Sequence, residues 1–169
     1  MGCQLMTRSL VIGYGNSLRS DDRIGLEVAG IIDDWNLPHV QSLGVHQLTP
    51  ELTAELAEVD LVIFIDAYAA SVGDEIKVLQ IEPSFSITFR SHFGDPRALL
   101  SLTQALFGRC PQAWWVLVPG INFELGDCLT PTAQQGIEQA SNMVGDLLNE
   151  VTKDLSACSQ ELTHHLQSR

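Results

Sequence analysis

The sequence predicts an α/β fold: a single domain with a twisted, mostly parallel five-stranded sheet and helices on both faces. Three observations predict it. Leu61-Val62-Ile63-Phe64-Ile65 is continuously apolar, the character of a central strand covered on both sides. Similar short runs alternate with stretches whose apolar residues recur at helical spacing, which implies crossover connections and a parallel sheet. Finally, Leu10-Val11-Ile12 runs into Gly13-Tyr14-Gly15 and then into a helix start bearing Asp21 and Asp22. In open α/β folds such strand-to-helix turns lie at the carboxyl edge of the sheet, where sites are built.

Taken in order, Ser9 to Ile12 forms the first strand, ended by Gly13. From Asp22 onward Ile24, Val28, Ile31, Ile32 and Trp35 mark a helix that Pro38 closes. Val40 to Leu48 alternates loosely, as a second strand does. Thr49-Pro50-Glu51 opens a short helix, with Thr49 at the cap, Pro50 at its first position and Leu52, Leu56 and Val59 inward. The third strand is Leu61 to Ile65 and stops at Asp66. Ile76 to Ile81 follows a Gly73-Asp74 turn without an intervening helix and is expected as an antiparallel edge strand. Asp95-Pro96 begins a helix carrying Leu99, Leu100, Thr103, Leu106 and Phe107. Ala113 to Val118 is a buried strand ended by Pro119-Gly120. Thr130-Pro131 caps a last helix with Ile137, Ala140, Val144, Leu147, Leu148 and Val151 along one face. The domain is read as residues 1–151, and 152–169, rich in Ser, Gln, Thr and His, as a flexible tail.

The chain has 169 residues, 45% apolar and 18% charged, which suits one globular domain with its own core. A formal charge of −12 with only nine Lys plus Arg argues against nucleic acid and anionic membranes as partners. No apolar run approaches the ~20 residues that span a bilayer. The amino-terminal residues lack the apolar region of a secretory signal, so a cytoplasmic protein is expected. Cys3, Cys110, Cys128 and Cys158 are scattered without a C-x-x-C pair and read as free thiols.

The candidate chemistry is acidic. One of Asp21 and Asp22 suffices to cap the helix, so the second suggests a cation nearby. Gly13-x-Gly15 lacks the third glycine of a dinucleotide fingerprint, and two carboxylates repel the anion a helix start would otherwise attract. Asp66, directly after five apolar strand residues, belongs at the same sheet edge. Its bland alternative is a backbone hydrogen bond in the following turn. His92 precedes a helix expected to begin at that edge, and carboxylates with an imidazole suit a divalent ion such as nickel or zinc. His39, His46, His164 and His165 lack such a setting. No nucleophile elbow or H-E-x-x-H helix is present, so a hydrolase built on these residues favours metal-assisted attack by water.

Gly13-Tyr14-Gly15-Asn16-Ser17-Leu18-Arg19-Ser20-Asp21-Asp22-Arg23-Ile24-Gly25 resembles the amino-terminal signature of the [NiFe]-hydrogenase maturation endopeptidases. Gln47-Leu48-Thr49-Pro50-Glu51-Leu52, Ile65-Asp66-Ala67, Ser91-His92 and Gly126-Asp127-Cys128-Leu129-Thr130-Pro131 are similar to the later blocks of that family, in the same order over about residues 9–150. The resemblance implies an enzyme that cuts a carboxyl-terminal extension from a hydrogenase large-subunit precursor after nickel insertion. It implies metal contact by Asp22, Asp66 and His92, with the nickel carried by the substrate and no permanently bound metal. Aspartate at position 22 stands where many relatives have glutamate, with the same oxygen chemistry. Asn16 and Gln47 are candidates for binding the substrate peptide by hydrogen bonds. Ala67-Tyr68-Ala69-Ala70 replaces a Gly-Gly-Thr sequence found in several branches, which places substrate discrimination there. A monomer is expected. The alternatives are a nickel-sensing maturation chaperone that does not cleave, a nucleotide-binding domain, and a peptidase of the same fold acting on an unrelated protein.

Overall fold

The computed structural model describes the backbone of residues 7–84 and 94–166, with side chains over the same range except 152 and 154–166. The strands are β1 (Ser9–Tyr14), β2 (Val40–Val45), β3 (Leu61–Ala69), β4 (Lys77–Ile81) and β5 (Gln112–Gly120). The helices are α1 (Ile24–Asp34), α2 (Thr53–Ala57), α3 (Pro96–Phe107) and α4 (Pro131–Leu166). The strand order is β2-β1-β3-β5-β4, parallel except for β4, which runs antiparallel to β5. This is the expected α/β architecture.

Alternation along β3 explains the two layers, because successive side chains leave a strand on opposite faces. Ile63 and Ile65 join Val11, Val116 and Val118 beneath α1 and α4. Val62 and Phe64 join Leu10 and Ile12 beneath α2 and α3, with Leu56, Leu99 and Leu100 filling that side. Both faces being covered is why these strands read as continuous apolar runs.

Several boundaries differ from expectation: β1 runs on to Tyr14, β2 ends at Val45 rather than Leu48, and β5 extends to Gly120. β3 does not stop at Asp66 but continues to Ala69, because β5 also continues and pairs with it from Asp66↔Leu117 to Ala69↔Gly120. Asp66 is therefore a strand residue. The α4 helix carries through the segment read as a flexible tail as far as Leu166. No Gly or Pro occurs between Gly145 and that point, so nothing in the backbone chemistry stops it. Thr49 precedes a 3₁₀ turn at Pro50–Leu52 but makes no side-chain cap; its hydroxyl bonds the Glu51 carboxylate instead. Trp35, Leu106 and Phe107, read as helix-face residues, are substantially exposed.

Gly13 and Gly25 let α1 lie directly on the sheet. A Cβ at Gly13 would come within 1.8 Å of the Gly25 carbonyl oxygen, and one at Gly25 within 2.5 Å of the Ile65 carbonyl oxygen. This contact draws the start of α1 toward β3. Among the described residues no helix is long and apolar enough to cross a membrane.

Candidate functional site

The chain leaves β1 in one direction through α1 to β2, and β3 lies on the other side of β1. The carboxyl ends of β1 and β3 are thus a switch point, the place where α/β sheets open a crevice. Asp22 reaches it from the turn after β1, and Asp66 from β3 itself.

The turn after β1 is held by hydrogen bonds. Gly15 has φ +147°, and a Cβ there would meet the Asp22 carbonyl oxygen at 1.9 Å. The Asn16 N–H donates to Asp22 Oδ2 at 2.8 Å, and the Leu18 N–H to the Asn16 side-chain oxygen at 2.9 Å. Asn16 therefore spends its side chain shaping the turn that aims Asp22. Ser20 has φ 43°, unusual for a residue other than glycine, and is fixed by its N–H bond to Gly126 O and its hydroxyl bond to Glu124 O.

Asp21 and Asp22 divide the work. Asp21 is completely buried and turns away from solvent. Its Oδ2 accepts from the N–H groups of Ile121 (2.8 Å) and Asn122 (3.0 Å) and from the Thr130 hydroxyl (2.8 Å), and its Oδ1 from the Thr130 N–H (2.8 Å). Burial works to raise its pKa, but these donors outweigh it and hold the carboxyl below the usual aspartate range. Asp21 does not cap its own helix, as its position suggests. It ties the β5–α4 loop to the β1 turn, and Thr130 in turn caps α4 by accepting from the Ala133 N–H at 3.2 Å. Asp22 is left partly exposed, facing the crevice rim.

Asp66 sits on the α2–α3 face of β3, and Asp66 Oδ1 accepts from the Ala67 N–H at 2.8 Å. This local bond is the role the sequence offered as the bland alternative, and it occupies one oxygen. Burial pushes the Asp66 carboxyl up to about 7; bonds from Tyr14 and Ala67 oppose this, and the Asp22 charge adds to it. A carboxyl poised near neutrality suits acid or base work. Tyr14, at the end of β1, was not singled out as a site residue in the sequence, yet it is buried and its hydroxyl faces Asp66. Burial and then the Asp66 charge push its phenol up. The signal that could have found it is the parity of the β1–β3 ladder. Gly13↔Ile65 is a register pair, and the next step along sets Tyr14 beside Asp66.

The remaining candidates divide. Gln47 is exposed just beyond β2, whose last pair Tyr14↔Val45 brings it to the same sheet edge. His46 shares that position and is exposed, a setting the sequence did not disclose for it. His92 lies outside the described residues. Among the described residues no three His, Cys, Asp or Glu side chains converge as a metal site.

The fold matches solved structures. The hydrogenase maturating endopeptidase HybD from Escherichia coli superposes with a TM-score of 0.71 at 27% identity, over 85% of this chain and 93% of that one. In fold and in sequence this chain is similar to the hydrogenase maturation endopeptidases. The fold recurs in the [NiFe] hydrogenase maturation protease HycI from Thermococcus kodakarensis, with TM-score 0.65, 22% identity and coverage of 85% and 93%. It recurs again in the hydrogenase 2 maturation peptidase from a Thaumarchaeota archaeon, with TM-score 0.65, 19% identity and coverage of 84% and 98%. No family model and no curated protein matches the sequence. Within this chain the segment after Asp66 has its own bracing. The Tyr68 hydroxyl donates to Glu75 O at 2.6 Å, and Lys77 lies 4.5 Å over the Tyr68 ring.

Proposed function

We propose that this endopeptidase removes the carboxyl-terminal extension of a [NiFe]-hydrogenase large-subunit precursor after nickel insertion, using the nickel carried by the substrate as its recognition mark. The observation that supports this most directly is the arrival of Asp22 and Asp66 from β1 and β3 at one switch point. Their oxygens, with the imidazole of His92, are suitable ligands for a divalent nickel presented from outside. Bringing that cation near also favours ionised Asp66, opposing the burial that otherwise holds its proton. The nickel polarises the scissile carbonyl or a water, and a carboxylate left free accepts the proton. Gln47 and the side-chain NH₂ of Asn16, whose oxygen is held by the turn, are the peptide-binding groups. Such a peptidase meets its precursor as a monomer.

The test is mass spectrometry of a large-subunit precursor incubated with the protein, nickel-loaded and nickel-free. Loss of a carboxyl-terminal peptide from the loaded sample alone is the expected result. Cleavage of both removes the nickel requirement and leaves the peptidase. An intact precursor in both samples transfers the function to the chaperone alternative.

A further inference from the structure

Tyr14 places a large polar side chain where the mechanism above does not require one. It closes β1, is 5% exposed, and lies on the same face as Asp66 one step beyond the Gly13↔Ile65 pair. Its hydroxyl faces the Asp66 carboxylate. The same hydroxyl donates to the carbonyl oxygen of Gly94 at 3.3 Å, across 80 residues of sequence. Gly94 stands in the turn ahead of α3, whose start is fixed by Asp95 accepting from the Arg97 N–H at 2.9 Å and by the Arg97–Asp95 ion pair. The phenol oxygen thus lies between a strand-borne carboxylate and a helix-leading turn. An aliphatic side chain of similar reach could fill the volume but donate to neither acceptor, whereas the single phenol proton is shared between the two.

We infer that Tyr14 is a positioning residue, whose hydroxyl sets the direction of the Asp66 carboxylate and moors the Gly94 turn to the end of β1. The inference rests on the proposed peptidase reading. Its consequence is specific. A group that holds reacting atoms in place affects the chemical step, because small displacements of a reacting group are costly in rate while leaving substrate contacts elsewhere intact.

The experiment compares wild type with Tyr14→Phe on a nickel-loaded precursor. It measures kcat and KM, the thermal midpoint, and amide hydrogen exchange at Arg97 and Ala98. The expected result is a fall in kcat of about tenfold with KM within about twofold. Exchange at the start of α3 rises while β1 stays protected and the midpoint holds. Unchanged kcat overturns the inference. So does a loss that appears as a raised KM, or one that tracks a lowered midpoint, because the hydroxyl is then merely structural. If wild type cleaves no precursor, the proposed function fails by itself. The exchange comparison then decides the mooring: faster exchange at Arg97 and Ala98 in Tyr14→Phe supports it, and identical exchange overturns it.

Discussion

Replacing Asp21 with Ala removes the acceptor that joins two loops, and its cost follows from the four bonds the carboxylate makes. A hydrogen bond to a charged acceptor contributes about 1.5–3 kcal/mol, giving a gross loss of about 6–12 kcal/mol. The four share one carboxylate and two come from Thr130, so they are not additive, and water reaches the exposed Ile121 end of the loop. A net loss of about 4 kcal/mol is expected for Asp21→Ala, a large part of the ~5–15 kcal/mol that holds a typical domain. Asp21→Asn costs less, about 2 kcal/mol, because its oxygen can replace Oδ2 and keep three bonds while its NH₂ opposes the Thr130 N–H. Urea denaturation at pH 7 reads the difference as a midpoint shift of about 2 M for the alanine variant. Because the folded carboxyl titrates below its unfolded value, this stabilisation is present above the ordinary aspartate pKa and is lost as pH falls through the folded one. The two variants and wild type therefore converge in strong acid. A midpoint shift under about 0.5 M for Asp21→Ala at pH 7 would refute the hub role.

Other outcomes are equally concrete. Asp66, raised to about 7, stabilises the fold fully below its unfolded pKa and loses that contribution as pH rises through 7. Metal-free Asp66→Asn is therefore more stable than wild type at pH 8.5 by about 2 kcal/mol, discounted for partial exposure, and nearly equal at about pH 3.5, below the unfolded pKa; denaturation at both values checks this. Gly25→Ala forces its methyl against the Ile65 and Tyr14 carbonyl oxygens and costs about 2–4 kcal/mol, read from the same curves. His92→Ala lowers the cleavage rate at least about a hundredfold, whereas His46→Ala, at the exposed end beyond β2, changes it less than about threefold. Single-turnover cleavage of loaded precursor separates the two, and reversal of that order assigns the imidazole to His46.

How far the sequence reaches is visible residue by residue. Apolar runs and helical spacing located every strand and helix, because burial on one or both faces writes its period directly into the side chains. Asp22 and Asp66 could be placed at the sheet edge because each comes after an apolar strand run whose direction is implied by the crossover rule. Asp21 was not separable from its neighbour by type, since its partners at Ile121, Asn122 and Thr130 lie about a hundred positions away. The end of β3 was misplaced for a similar reason: a carboxylate reads locally as a stop, but the length of a strand is set by the partner it pairs with.

By itself the sequence determined the α/β class, the antiparallel edge strand β4 and the acidic character of the sheet edge. These depend on local spacing and on the handedness of crossover connections. Only the tertiary structure decided which aspartate braces the loops and which faces the cleft, and that Tyr14 stands against Asp66. It alone brought His46 to the same edge and carried Asp66's proton affinity up to about 7. Register, burial and the field of neighbouring charges arise between distant segments, so no local pattern encodes them.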